Sequence, residues 1–435
     1  MRLRTRPVAA LAVVAAGVAT ALLPVGAASA ASTSSSSTGD ITFTVHPPKL
    51  KSALPASRIT PSLQPADCLA RTNGAVACQD PASIRAAYNI PATVKGVPAG
   101  TGQTIVIVDA FGSPTALSDL QTFSKQFGLP APKLDTYYPD GKPTYHGTAN
   151  QEGWAEETSL DLQWAHAVAP GARIALIVAA TNYGSSLNNA VHYAVTHHLG
   201  NVLSMSYGVS EAAIKGNNAQ IIQEQKIFAE ARSAGMTLFA SSGDDGSDNL
   251  LGTPNFSFPA ADKNVTAVGG TNLYVNSGIT TEPRETVWGD YATCPLTCKY
   301  GPIGATGGAP SLFTGKQGSD VAYNASVYTG VLTYLGFLGG DANGFYYFGG
   351  TSASSPQWAA VTAILDQARG SSLGYIRDRI PGWASSGALY DVQKGSNSTP
   401  TYKGGFSATG GHDLPTGYGT PNVGKLITAT GGSVR

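Results

Sequence analysis

Five short apolar runs, the first four separated by helical stretches, constrain this chain more than any other feature. They are Gln103–Asp109 (QTIVIVD), Arg173–Ala179 (RIALIVA), Asn201–Ser206 (NVLSMS), Thr237–Ala240 (TLFA) and Asn264–Val268 (NVTAV). None alternates apolar with polar residues, so each predicts a strand buried on both faces. Helices are predicted at Ala116–Phe127, Gly153–Val168, Ser186–His197 and Asn218–Ala234, the last closed by Gly235. Strand and helix in alternation predict an α/β fold: a mostly parallel central sheet flanked by helices on both faces. Sites in such sheets form at the carboxyl ends of the strands. The stretches expected there are Asp109-Ala110, Ser206-Tyr207-Gly208, Ser242-Gly243-Asp244 and the turn before Ser352.

That last turn reads Phe348-Gly349-Gly350-Thr351-Ser352-Ala353-Ser354-Ser355-Pro356. An aromatic strand ends at Phe348, two glycines turn the chain, and an apolar helix follows, with Pro356 expected in its first turn. A serine at a strand-to-helix turn lies beside free backbone N–H groups, which suits a nucleophile. It equally suits a helix N-cap. A nucleophile needs a base. His146 stands in His146-Gly147-Thr148, but polar residues follow it, and His192, His197 and His198 fall near a helix end. Glu157 and Asp161 are the stronger pair, because residues four apart project from one helix face. Their neighbours Trp154, Leu160, Leu162, Trp164 and Val168 are apolar. Burial would make the two carboxyls share a proton. Glu156, about 100° away around the helix, is the second choice of base.

Gly350-Thr351-Ser352 with Pro356, Glu157 with Asp161, and Ser242-Gly243-Asp244 together resemble the sedolisin (serine-carboxyl peptidase) family, whose fold is subtilisin-like. The likeness extends over most of residues 80–430 and takes in Phe258-Pro259-Ala260, Val268-Gly269-Gly270-Thr271 and Ser206-Tyr207-Gly208. It implies Ser352 as nucleophile, Glu157 as general base, Asp161 as its orienting partner and Asp244 as the oxyanion donor. A glutamate can serve as base in acid, where histidine is already protonated. Asp244 can donate only while it is protonated, so an acidic optimum is expected. The tail, from Leu389-Tyr390-Asp391-Val392 to Gly411-His412-Asp413, resembles the family's calcium loop. It implies one structural Ca2+ held by the Asp391 and Asp413 side chains and the Val392, Thr409 and Gly411 carbonyls. Two other readings stay open: a subtilisin-like protease using Asp109, His146 and Ser352, and a catalytically inactive secreted binding protein on the same scaffold.

Residues 1–30 are expected to be a secretory signal: basic Met1–Arg6, an apolar run from Ala9 to Leu23, and the small-residue site Ala28-Ser29-Ala30. Residues 31–78 read as a Ser/Thr/Pro-rich leader or short pro-segment, and 79–435 as the catalytic domain with the calcium loop. The family is usually made with a longer prodomain. Export and an extracellular location make disulfides expected; of three possible pairings the simplest joins Cys68 to Cys78 and Cys294 to Cys298. Charged residues are only 12% of the chain, with 27 basic and 27 acidic. The usual charged share is about 25%. No basic patch suggests nucleic acid, no later run is long enough to span a membrane, and nothing demands more than a monomer. The partners expected are protein or peptide substrates.

Overall fold

The computed structural model describes residues 39–45, 47–50, 63–297 and 299–435. The proposed signal segment and Cys298 lie outside them. All five expected strands form: β1 (Thr104–Ala110), β3 (Arg173–Ala179), β4 (Val202–Met205), β5 (Thr237–Ser241) and β6 (Thr266–Leu273). They join β2 (Lys133–Tyr137), β7 (Glu285–Val287) and β8 (Val321–Asn324) in one sheet of order β7-β6-β5-β4-β1-β3-β2, with β8 also paired to β6. Every pairing is parallel except β6 with β7. A separate hairpin pairs β9 (Val331–Leu335) with β10 (Gly344–Phe348).

Successive side chains of a strand point to opposite faces, so β1 divides its residues between two cores. Ile105 and Ile107 pack in one core with Leu160 and Trp164 of α2 (Ala149–Val168) and Val361 and Ile364 of α5 (Thr351–Arg369). Val106 and Val108 pack in the other with Leu187 and Val191 of α3 (Gly184–Thr196) and Phe228 of α4 (Asn218–Ser233). Helices therefore cover both faces. A further helix, α1 (Ala116–Gln126), follows β1.

Helix α2 begins four residues earlier than its apolar pattern suggests. Thr148 caps it by accepting from the Gln151 N–H, which lets the polar Ala149–Glu152 turn join. Pro356 differs from expectation too. Helix α5 starts at Thr351, so the proline lies inside the helix rather than in its first turn. Having no N–H, it leaves the carbonyl of Ser352 without its i+4 donor. The Ser206 Oγ lies 3.4 Å from that carbonyl and shares its one proton between it and the nearer Asp161 carboxyl, at 2.9 Å. Cys68 and Cys78 are disulfide-bonded, and Cys294 is also in a disulfide.

Candidate active site

Three elements meet at the carboxyl end of the sheet: α2, the first turn of α5, and the loop after β5. Strand β10 delivers the chain to Gly349-Gly350. Gly350 adopts φ +90°, and its N–H reaches the Ala325 carbonyl at 2.6 Å. A side chain there would meet the Asp244 carboxylate at 2.7 Å, so glycine is needed both for backbone conformation and for space. Ser352 follows as the second residue of α5, only 7% exposed, with its Oγ 3.3 Å from the Ser206 carbonyl.

Glu157 and Asp161 on α2 are fully buried. Asp161 accepts from the Ser206 hydroxyl at 2.9 Å. The Ser352 hydroxyl and Asp161 are the hydrogen-bonding neighbours of the Glu157 carboxyl. Burial drives the Glu157 pKa well above the usual carboxylate range. The neighbouring charges of Asp161, Asp109 and Asp244 add to the rise, while the Ser352 hydroxyl favours the ionised form. Asp161 is raised for the same reasons, burial first and then Asp109, and Ser206 and Glu157 oppose the shift.

Asp109, at the end of β1, is a third member of this acid cluster. It is fully buried, and burial raises its pKa to about 7 against the opposing pull of the Thr158 hydroxyl. On the sequence it enters as one of the strand ends where a site is expected and as the aspartate of a histidine-based triad. The histidine of that triad, His146, is exposed on the loop before α2, its backbone N–H held by Gln151. The sequence signal that could have placed Asp109 in the cluster is its position: a carboxylate closing a wholly apolar strand. Glu156 does not face Ser352; its carboxylate pairs with Lys49.

Asp244 lies across the cleft from Glu157. Its Oδ1 accepts from the Thr351 N–H at 2.7 Å and the Thr351 hydroxyl at 2.8 Å. One edge of the residue is open to the cleft, yet the carboxyl itself is enclosed. Burial raises its pKa to about 6 against the pull of the two Thr351 bonds. Ser352, the Glu157–Asp161 pair and Asp244, three stretches far apart in sequence, thus share one site.

The tail loops also converge. Asp391 accepts from the Gly411 N–H at 3.0 Å. Asp413 accepts from the Thr409 N–H at 3.2 Å and the Thr416 N–H at 2.8 Å. Two carboxylates therefore reach one short turn, with Val392 buried beside Asp391. Oxygen donors of this kind fit a hard cation. No cluster of three or more His, Cys, Asp or Glu side chains occurs among the described residues.

Fold and site define a subtilisin-like α/β protein in which Ser352 lies among buried carboxyl groups. Residues 118–380 match the Subtilase family. The chain is 30% identical to kumamolisin of Bacillus sp. (strain MN-32) over 375 residues, covering 80% of this chain and 63% of that protein. It is 30% identical to sedolisin of Pseudomonas sp. (strain 101) over 356 residues, covering 76% of this chain and 58% of that one. The solved structure of Pseudomonas sedolisin (serine-carboxyl proteinase) complexed with two molecules of pseudo-iodotyrostatin superposes with a TM-score of 0.68 at 29% identity, over 81% of this chain and 97% of that chain. The chain belongs to the subtilases and, within them, to the sedolisin family. It spans less than two thirds of the length of these two curated relatives.

Proposed function

We propose that this protein is a serine-carboxyl endopeptidase that cleaves peptide bonds in acid. The observation that carries the reading is the enclosed set of Ser352, Glu157, Asp161 and Asp244, with no histidine beside it among the described residues. The Ser352 hydroxyl adds to the substrate carbonyl and its proton passes to Glu157. Asp161 orients Glu157 and shares the proton load of the cluster. The oxyanion that forms accepts a hydrogen bond from protonated Asp244. Glu157 then gives its proton to the departing amine, leaving an acyl ester on Ser352. Water attacks the ester with Glu157 again as base, which releases the acid product and restores the hydroxyl.

Both limbs of the pH profile follow from the acids. The linked carboxyls must release at least one proton to supply a base, which sets the acid limb. Asp244, with its pKa raised to about 6, loses its donor proton as pH rises through that value, which sets the alkaline limb. The expected outcome of a peptide digest from about pH 3 to about pH 8 is a maximum on the acid side of pH 6. Activity should be abolished in Ser352→Ala and reduced on the order of 10⁴-fold or more in Glu157→Gln. A neutral or alkaline maximum, or loss in His146→Ala equal to that in Glu157→Ala, would instead support the histidine triad.

Secretion, with removal of residues 1–30, is part of this reading; no helix of the described residues is long and apolar enough to cross a membrane. Calcium is assigned to the tail, held by the side chains of Asp391 and Asp413 with the carbonyls of Val392, Thr409 and Gly411. There the ion would cross-link two loops and take no part in the chemistry. Chelation should lower the melting temperature, and Asp413→Asn should make the melt insensitive to added calcium.

A further inference from the structure

Residues 39–45 and 47–50 run along the cleft, tied to it through their backbone. Phe43 donates its N–H to the Asn182 carbonyl at 2.9 Å, and Gly184 donates to the Ile41 carbonyl at 2.7 Å. Thr42 bridges Tyr183 and Thr44 bridges Gly208, both antiparallel. Beyond His46, which is outside the described residues, the Pro48 carbonyl accepts from the Gly349 N–H at 2.9 Å. The Leu50 N–H then reaches the Tyr347 carbonyl at 3.1 Å. Gly208 is two residues past Ser206, whose carbonyl meets the Ser352 hydroxyl; Gly349 is three residues before Ser352. Thr44 and Pro48 are thus held through the backbone against the two segments that flank Ser352. That is how a sheet edge takes an added peptide strand.

Its side chains show what the groove accepts. Phe43 is fully buried, edge-on to Tyr207 with ring centres 5.2 Å apart, in the core that also holds Trp154. On the other side of Ser352, Lys49 pairs with Glu156 and sits 5.7 Å from the ring centre of Tyr346 and 6.0 Å from that of Phe348. A carboxylate and two aromatic faces form a receptor for a cation. Glu156 is itself largely buried and has no role in the proposed chemistry.

The geometry points to Glu156 as a specificity-determining residue: the groove takes an extended peptide with an aromatic side chain against Tyr207 and, six residues on, a lysine or arginine against Glu156. The inference rests on the proposed peptidase reading, since it places the bond to be cut between those two side chains. The leader segment holds the same path and competes with any added peptide. It competes equally with peptides that differ only at the lysine, so their ratio of affinities still reports the pocket.

The test uses the full chain carrying Ser352→Ala, so that binding is read without turnover. Two labelled peptides with the sequence of residues 39–50, one keeping lysine at the position of Lys49 and one with glutamate there, are titrated near neutral pH. A partly buried ion pair with a cation over two rings predicts a preference for lysine on the order of tenfold. Adding Glu156→Gln should bring the ratio close to one, and Glu156→Lys should reverse it, with melting curves confirming that both variants are folded. Equal affinities in the Glu156 chain, or a preference that survives both substitutions, overturns the inference. Failure of the peptidase reading is distinguishable: it would appear as absence of Ser352-dependent cleavage in the unsubstituted chain, whatever the binding ratio. If cleavage occurs, the cut must fall after the residue in the Thr44 position and before that in the Pro48 position; a cut elsewhere also overturns it.

Discussion

The carboxyl of Asp244 accepts two hydrogen bonds through Oδ1 and keeps Oδ2 beside Gly350, on the path to Ser352. Those bonds favour the charged form, yet burial prevails and holds the proton up to about pH 6. A neutral donor that does not titrate should do the same work over a wider range. Asp244→Asn is therefore expected to keep more activity than Asp244→Ala and to move the alkaline limb upward. Asp244→Ala should lose about 10²–10³-fold in kcat. A pH–rate profile for each variant checks both statements. Ser352, Glu157, Asp161 and Asp244 were all legible as candidates because each stands in a short pattern with a chemical rationale. Asp109 was half legible. Its place at a strand end was plain, but nothing local to it says that α2 lays Glu157 and Asp161 against it. The role of Ser206 was not legible at all, since it depends on a carbonyl released by Pro356 in another element.

At the scale of elements, the strand–turn–helix from Gly344 to Arg369 carries the nucleophile, and its tightest point is Gly350. An alanine there would hold an unfavourable positive φ and press a methyl group to within 2.7 Å of Asp244 and 2.9 Å of Pro48. Gly350→Ala is expected to destabilise by roughly 1–3 kcal/mol. It should also lower kcat far more than that loss of folded protein explains; thermal melts beside initial rates separate the two effects. The inner strands were readable because burial on both faces strips them of polar residues, as in Ile105–Val108 and Ile174–Val178. Edge strand Lys133–Tyr137 was not, since its side chains are exposed or half-buried and carry no apolar run. The short strands Glu285–Val287 and Val321–Asn324 lie in glycine-rich sequence whose pairing with β6 is wholly long-range.

Across the whole molecule, acids inside and outside the catalytic set are held protonated by burial. Asp109, Asp290 and Asp366 are raised to about 7, and Asp119 and Asp244 to about 6, from 3.8. Each contributes stability that is fully present below the unfolded value and is lost as pH rises through the folded one. Asp320 works in the opposite sense: held low by Lys316 and Arg377 despite its burial, its contribution is present above 3.8 and lost as pH falls. The first group is the larger, so the melting temperature should be higher near pH 4.5 than near pH 7.5, and calorimetry at the two values would show it. Helix α5 adds a consequence of its own. It runs from Thr351 to Arg369, with Ser352 in its opening turn. The aligned peptide dipoles of such a helix place about half a positive charge at that end. The cluster of acids around Ser352 is thus given a favourable field by the backbone itself. Because that field is enclosed, dissolved ions screen it far less than they screen the charges of the surface.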